Sequence, residues 1–328
     1  MTDSSSLMKS KALEVINRTL GADIYASVEK LKDGSRYLCH YTTSENSLNI
    51  LNSNQFWLRN ARCMNDYSEI TNGVELIAET LRADDKALLS RLLNILGKGD
   101  SDQSSDFIAG WDNWIMSHSA NVFIGCLAEC SPDEVVGKLS MWRAYGSSTG
   151  GVCFIFDTQP FVAESDLLGA YTLPVCYYDQ SQIYQFLEQA ISTLEANKDV
   201  LDPLTSEELT TNVLGLLVFR AIGLKHRGFS EEEEWRIVRL LGTPNSNHIQ
   251  TAVENVGGIP QTVQKISLVN DPENGLFGAD IPSLLHRVII GPSKYPDVVG
   301  NALLHKLNSM GVNDAESKIV YSGIPLRM

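Results

Sequence analysis

Four consecutive carboxylates, Glu231-Glu232-Glu233-Glu234, run directly into Trp235-Arg236-Ile237-Val238. Like charges in a row usually mark a solvated segment, and their mutual repulsion opposes burial of all four. The residues after them read as a strand, and strand alternation predicts Glu232, Glu234 and Arg236 on one face. A Glu-x-Glu pair at a strand start can project into a cleft, where carboxylates stabilise a developing cation or orient a nucleophile. A second polar cluster runs from Arg59 to Glu69 and contains Arg62, Asn65 and Asp66. Arg59 and Arg62, close to a strand end and a helix N-terminus, make a seat for a phosphate or pyrophosphate. Asp66 and Glu69 have a structural task available as a capping box. A third cluster, His40-Tyr41-Thr42-Thr43, ends a strand that leads into a capped helix. His40 can there offer a hydrogen bond to a sugar hydroxyl; the plainer reading is a satisfied, half-buried histidine beside turn and cap residues. Trp142 and Tyr145, three apart, read either as a cleft wall or, as such pairs more often are, as core.

These residues need elements to position them. An amphipathic helix over 7–20 is stopped by Gly21, and strands are expected at 36–42 and 56–59 around a helix capped by Thr43 or Ser44. Residues 67–96 have helical period with a break near Ala83-Asp84-Asp85, the pattern of a helical hairpin; 97–106 reads as loop, and 107–117 as a helix holding Trp111 and Trp114. After a strand at 121–127, Ser131-Pro132-Asp133-Glu134 has the form of a helix start, for a helix that carries 141–145 and ends at Gly146. Strands follow at 151–157 and 173–178, a helix from Thr205 to Gly228, strands at 235–240, 263–268 and 288–290, a helix at 296–310 and a strand at 318–321. Helices and strands mix without strict alternation. The expected class is α+β with a mixed or antiparallel central sheet: an N-terminal helical segment at 1–35, then one domain over 36–328 with helical insertions near 67–118 and 181–228.

Composition narrows the function. With 40 acidic and 26 basic residues the chain carries a formal charge of -14, which opposes bulk attachment to nucleic acid or anionic membrane. A nucleic-acid partner would need a local strip, for which Arg59, Arg62, Arg143 and Lys225-His226-Arg227 are the candidates. No apolar run approaches the ~18 residues of a membrane span, and the first residues lack a secretion signal, so a cytoplasmic chain with reduced cysteines is expected. Only Cys126 and Cys130 lie close in sequence, and the histidines show no metal-ligand spacing.

The order His40-Tyr41-Thr42, Met64-Asn65-Asp66 with Glu69, Met141-Trp142 with Tyr145-Gly146, Gly151-Val152-Cys153-Phe154 with Phe156, Glu232 with Glu234-Trp235-Arg236, Ile289-Ile290-Gly291-Pro292 and Ile324-Pro325-Leu326-Arg327 resembles a bacterial family catalogued as domain of unknown function 2971. The likeness covers roughly 36–328. More distantly, a strand ending His-Tyr-Thr, a helix, a strand reaching Arg59 and a later strand glutamate resemble the ADP-ribosyltransferases, particularly those that modify DNA bases. That resemblance implies an ADP-ribosyltransferase-like fold, NAD as substrate, and a protein, a nucleic acid or water as acceptor, in a toxin or phage-defence setting. It assigns catalysis to Glu234 with Glu232 as helper, the ribose to His40 in the same cleft, the pyrophosphate to Arg59 or Arg62, and the nicotinamide stack to Tyr41 or Tyr145. Thr42, Asn65 and Trp142 complete the implied NAD-binding set. The superfamily's usual middle-strand motif has no clear counterpart. The rival readings are a non-catalytic ligand-binding or interaction protein of the same fold, and a metal-dependent nuclease using Asp66, Glu69, Glu232 and Glu234.

Overall fold

The computed structural model describes residues 4–64, 67–97, 111, 121–146, 150–162, 167–240 and 246–325. Two compact units share the chain. One takes 1–27, 64–120 and 175–229, the other 28–63, 121–174 and 230–328. The expected insertions at 67–118 and 181–228 thus both fall, with residues 1–27, in a unit of their own.

The described elements of the first unit are mainly helices: Ser4–Leu20, Tyr67–Ile95, Gln180–Ala196 and Ser206–Ile222, with the short Lys198–Leu201. Tyr67–Ile95 is a single helix, where a hairpin is expected. Ala83-Asp84-Asp85 contains no Gly or Pro, and aspartate in a helix interior costs only a few tenths of a kcal/mol, too little to force a turn. Ser206–Ile222 begins with the capping box that its sequence announces: Thr205 Oγ1 accepts from Glu208 N at 3.2 Å and Glu208 Oε2 from Thr205 N at 2.8 Å. It ends at Gly223, short of the expected Gly228.

The second unit is built on a ten-stranded sheet. Its strands are β1 Tyr37–Thr43, β2 Gln55–Asn60, β3 Val122–Cys130, β4 Gly151–Phe156, β5 Tyr171–Pro174, β6 Glu234–Leu240, β7 Ile249–Val256, β8 Ile259–Ser267, β9 Leu285–Ile290 and β10 Ile319–Tyr321. The main path is β10-β9-β4-β1-β3-β2-β8-β7, with β6 on β3 and β5 on β6. All pairs are antiparallel except β9 with β10. The class is therefore α+β with a mixed, mostly antiparallel open sheet. β3 carries β6 along 122–128, and its other edge is shared: β1 pairs at 128–130 and β2 at 123–124. The sheet forks between them, over Gly125 to Leu127.

Alternation divides the sheet cleanly. Leu38, Phe56, Leu127, Phe154, Phe156, Trp235 and Ile237 belong to the main core on one face. Cys39, Tyr41, Ala128, Cys130, Cys153 and Ile155 lie on the other, packed with Met141 and Trp142. Those two come from a helix confined to Leu139–Tyr145; 131–138 is a loop instead of the expected first turns. Its bonds explain the difference, because the Glu134 carboxylate accepts from the backbone N–H of both Val136 and Gly137 at 2.9 Å and Gly137 has φ of 77°. A Cβ at Gly137 would stand 2.7 Å from the Trp142 ring.

Candidate functional site

The polar residues gather on the Trp142 face of β6, β3 and β2. Arg227–Glu232 forms a 3-10 turn, Glu233 takes a left-handed φ of 45°, and the strand begins at Glu234. A non-glycine residue in that region is strained and persists only where its surroundings hold it. Here Glu233 O accepts from Glu129 N at 2.8 Å, and Lys138 Nζ donates to Glu233 Oε2 at 2.5 Å and to Glu231 O at 3.1 Å. Ser140 Oγ donates to Glu231 Oε1 at 3.0 Å. The acidic run is anchored rather than free, and its kink delivers Glu234 alone into the sheet. Glu232 lies in the turn, so the expected Glu232–Glu234 pair on one strand face is not formed; the period-two pattern starts two residues too late for it.

Glu234 stands opposite Ala128 and Arg236 opposite Cys126. The two side chains, 4% and 1% exposed, make a forked ion pair, Nε to Oε1 at 2.8 Å and Nη2 to Oε2 at 3.2 Å. The fork gives each buried charge a hydrogen-bonded partner in a setting where a lone charge would be costly. Arg59 shares this face through its register with Ile124. Its Nη2 donates to Cys63 O at 2.9 Å, and its Nε is buried without a partner. Gln261 lies two residues along β8 from Val263, the partner of Arg59, and both atoms of its side-chain amide are buried without a partner. Reading the sequence for charged motifs misses Gln261, although its parity with Val263 already places an amide at an inward position.

His40 is on the opposite face. It pairs with Phe154, and its ring meets Phe56 edge-on at 4.9 Å. The expectation that His40 and Glu234 face one cleft is therefore wrong, and the register gives the reason: Cys39, not His40, aligns with Ala128 and through it with Glu234. His40 Nδ1 lies 3.0 Å from Cys126 O, in the fork that neither β1 nor β2 spans. The plainer reading of His40 fits this placement. Thr42, opposite Val152, is buried on the same face as His40, and Thr43 caps the helix Ser44–Ser53 by accepting from Asn46 N at 3.1 Å.

Tyr41 is on Glu234's face, but its ring is engaged. Its hydroxyl accepts from Lys138 N at 2.9 Å and it meets Trp142 edge-on at 4.8 Å; burial pushes the phenol pKa far up. Trp142 is core: 1% exposed, it donates from Nε1 to Val136 O at 3.0 Å, and a Cβ at Gly291 would stand 2.6 Å from its ring. Tyr145 is exposed, so the two do not form one cleft wall. Arg62 is exposed in the 3-10 turn after β2. Asn65 and Asp66, like Trp114, lie outside the described residues, as does the side chain of Glu69. Of the basic candidates, Lys225 is buried with its ammonium 4.8 Å from the Phe229 ring centroid. Among the described residues no group of three or more His, Cys, Asp or Glu is placed to hold a metal ion.

The structure thus places Glu234, Arg236, Arg59 and Gln261 on one face of the sheet, the ion pair toward the 128 end of β3 and Gln261 toward its 122 end, with Tyr41 and Trp142 as packing, and leaves out His40, Thr42 and Glu232. A family model described as "Protein of unknown function (DUF2971)" matches residues 141–237, the stretch that runs from Met141 and Trp142 to the Glu234–Arg236 pair. No curated protein and no solved structure matches the chain. Among the described residues no helix is long and apolar enough to cross a membrane.

His40 carries a prediction. Burial lowers its pKa below 6.5, against the raising effect of the Cys126 carbonyl. The folded state therefore favours the neutral ring, the unfolded chain binds more protons below about pH 6.5, and the stability that His40 contributes falls as pH drops from there. His40→Ala leaves the Cys126 carbonyl without this partner and is expected to cost about 1–3 kcal/mol at pH 7.5. Urea midpoints should show that deficit shrinking at pH 5.5, where wild type loses the contribution; His286, shifted the same way by burial, is common to both proteins. An equal deficit at both pH values would mean that His40 acts through packing alone.

Proposed function

We propose that this protein cleaves the nicotinamide–ribose bond of NAD and passes the ADP-ribosyl group to water or a macromolecule. The observation that supports the reading is the buried, guanidinium-backed carboxylate of Glu234 at a strand start, delivered there by a strained residue. In this reaction the bond from the ribose anomeric carbon to the pyridinium nitrogen breaks, its electron pair leaves with nicotinamide, and the sugar passes through an oxocarbenium-like cation. A fixed carboxylate next to that carbon stabilises the charge, and the acceptor's oxygen or nitrogen then adds with loss of a proton. Arg59 suits the pyrophosphate. The unpaired amide of Gln261, farther along the same face, offers donors and an acceptor that suit the edge of the adenine base. His40 has no part in this reading. Its loss removes the residue that most resembled the ADP-ribosyltransferase pattern, and the strand carboxylate has to carry the activity alone.

Incubation with NAD labelled in the nicotinamide and adenylate halves, with and without cell lysate, tests it. Released nicotinamide is expected, with the adenylate label on free ADP-ribose or on a lysate component. Bound but uncleaved NAD would favour the second reading, a ligand-binding protein without catalysis. If nucleic acid is the acceptor, binding should weaken steeply between two salt concentrations, because each neutralised phosphate releases counterions. A shallow slope is expected instead, given the net charge of -14 and a buried Lys225. Such an activity suits a toxin or a phage-defence protein.

A further inference from the structure

The main-core face of the sheet holds a cavity of about 220 Å³. Phe56, Leu127 and Ile237 form its sheet side, and Phe156, Leu168 and Leu284 are among the residues that close it. Its wall is mostly apolar, with Thr172 and Ser267 among its polar residues. A water takes about 30 Å³ of liquid and needs two to four polar partners, so this space suits an apolar body better than an ordered water cluster.

One charged residue, just outside its lining, bonds to its wall. Arg239 is the next residue after Ile237 on the same face of β6 and is 5% exposed. Its Nη1 donates to Leu168 O at 3.3 Å and Gly169 O at 2.9 Å, in the segment whose Leu168 and Ala170 line the cavity. Its Nε is buried without a partner. Burial pulls its pKa down, yet a guanidinium keeps its charge. Two carbonyls offset only part of the cost of a buried cation; an anion offsets far more.

We propose that the cavity binds an amphiphilic monocarboxylate, its apolar body between the sheet and Leu168 and its carboxylate paired with Arg239. The site is separate from Glu234, which points from the opposite face, so it stands whether or not NAD is cleaved.

Dodecanoate, kept below its micelle concentration, and dodecan-1-ol, kept below its solubility limit, titrated calorimetrically into the full chain, test this. Dodecanoate should bind about tenfold or more tightly than the alcohol, as expected for a charge-assisted hydrogen bond. Arg239→Gln should bring the two within about twofold while the alcohol's affinity holds. Ala279→Phe, which fills the cavity, should abolish binding of both. Equal affinities for acid and alcohol in the wild type overturn the proposal without recourse to any variant, as does the absence of binding. Binding that survives Ala279→Phe in a folded protein overturns the location.

Discussion

Glu234→Gln is expected to lower the rate of nicotinamide release from NAD by about 10² to 10³-fold, the usual cost of removing one positioned electrostatic group. NAD affinity should change little, because shape and hydrogen-bonding capacity are retained. The fold will not be untouched. Arg236 is 1% exposed and forks onto this carboxylate, so a neutral amide there takes away a charge partner at a cost of about 1–3 kcal/mol. Activity must therefore be measured well below the variant's melting temperature, beside Arg236→Lys as a control. That control keeps the positive charge but loses the fork, and should retain more turnover than Glu234→Gln at similar stability. If Glu234→Gln cleaves NAD at the wild-type rate, the carboxylate is structural and the proposed reaction loses its centre. Glu232, held in a turn outside the strand, would be the next carboxylate to replace.

Where local chemistry decides structure, the sequence is a good guide. Thr205 and Glu208 announce a capping box and form one. Thr43 announces a cap and is one. The strands from His40 and Phe154 to Val288 follow from runs of apolar and β-branched residues. Spacing stops being enough once register matters. His40 and Glu234 sit on different strands, and a shift of one residue turns a side chain to the other face. No local feature of His-Tyr-Thr says whether His40 or Cys39 will align with Ala128. Glu232 fails for a related reason, since the period-two pattern assigned to it begins only after the left-handed Glu233. β7, with alternating Ile249, Thr251, Val253 and Asn255 and a Gly257-Gly258 turn, escapes detection because its exposed residues supply little apolar signal, even though the glycine pair is a hairpin cue. Gln261 escapes because a lone amide in a strand looks like surface until its burial is seen.

Asp23→Ala is expected to be the most destabilising single change in the helical unit, at about 3–5 kcal/mol, because it strands a buried guanidinium. Arg220 is 2% exposed, and both its Nη atoms fork onto the two oxygens of Asp23. It donates further to Leu20 O at 2.9 Å, contacts Cys176 Sγ at 2.9 Å, and its guanidinium carbon lies 4.4 Å from the Phe186 ring centroid. The Cys176 thiol, itself donating to Asp23 Oδ2 at 2.9 Å, is pushed up to about 12 by burial and is no nucleophile at neutral pH. Asp23 and Arg220 are 197 residues apart, so nothing in the sequence joins them. Burial tends to raise the Asp23 pKa, but the hydrogen bonds and charge of Arg220 outweigh it and hold the carboxyl below 3.8. A depressed acid contributes its stability above the unfolded value and loses it as pH falls through the folded one. The wild type should therefore keep this contribution at pH 5 and lose it only in strong acid. Thermal melting should place Asp23→Ala on the order of 10 °C below wild type. Asp23→Ala with Arg220→Met should recover a large part of that loss, because the second change removes the stranded charge and keeps an apolar body against Phe186. Equal melting temperatures for the single and double variants would show that Asp23 acts through packing, and that the buried cation costs the fold nothing.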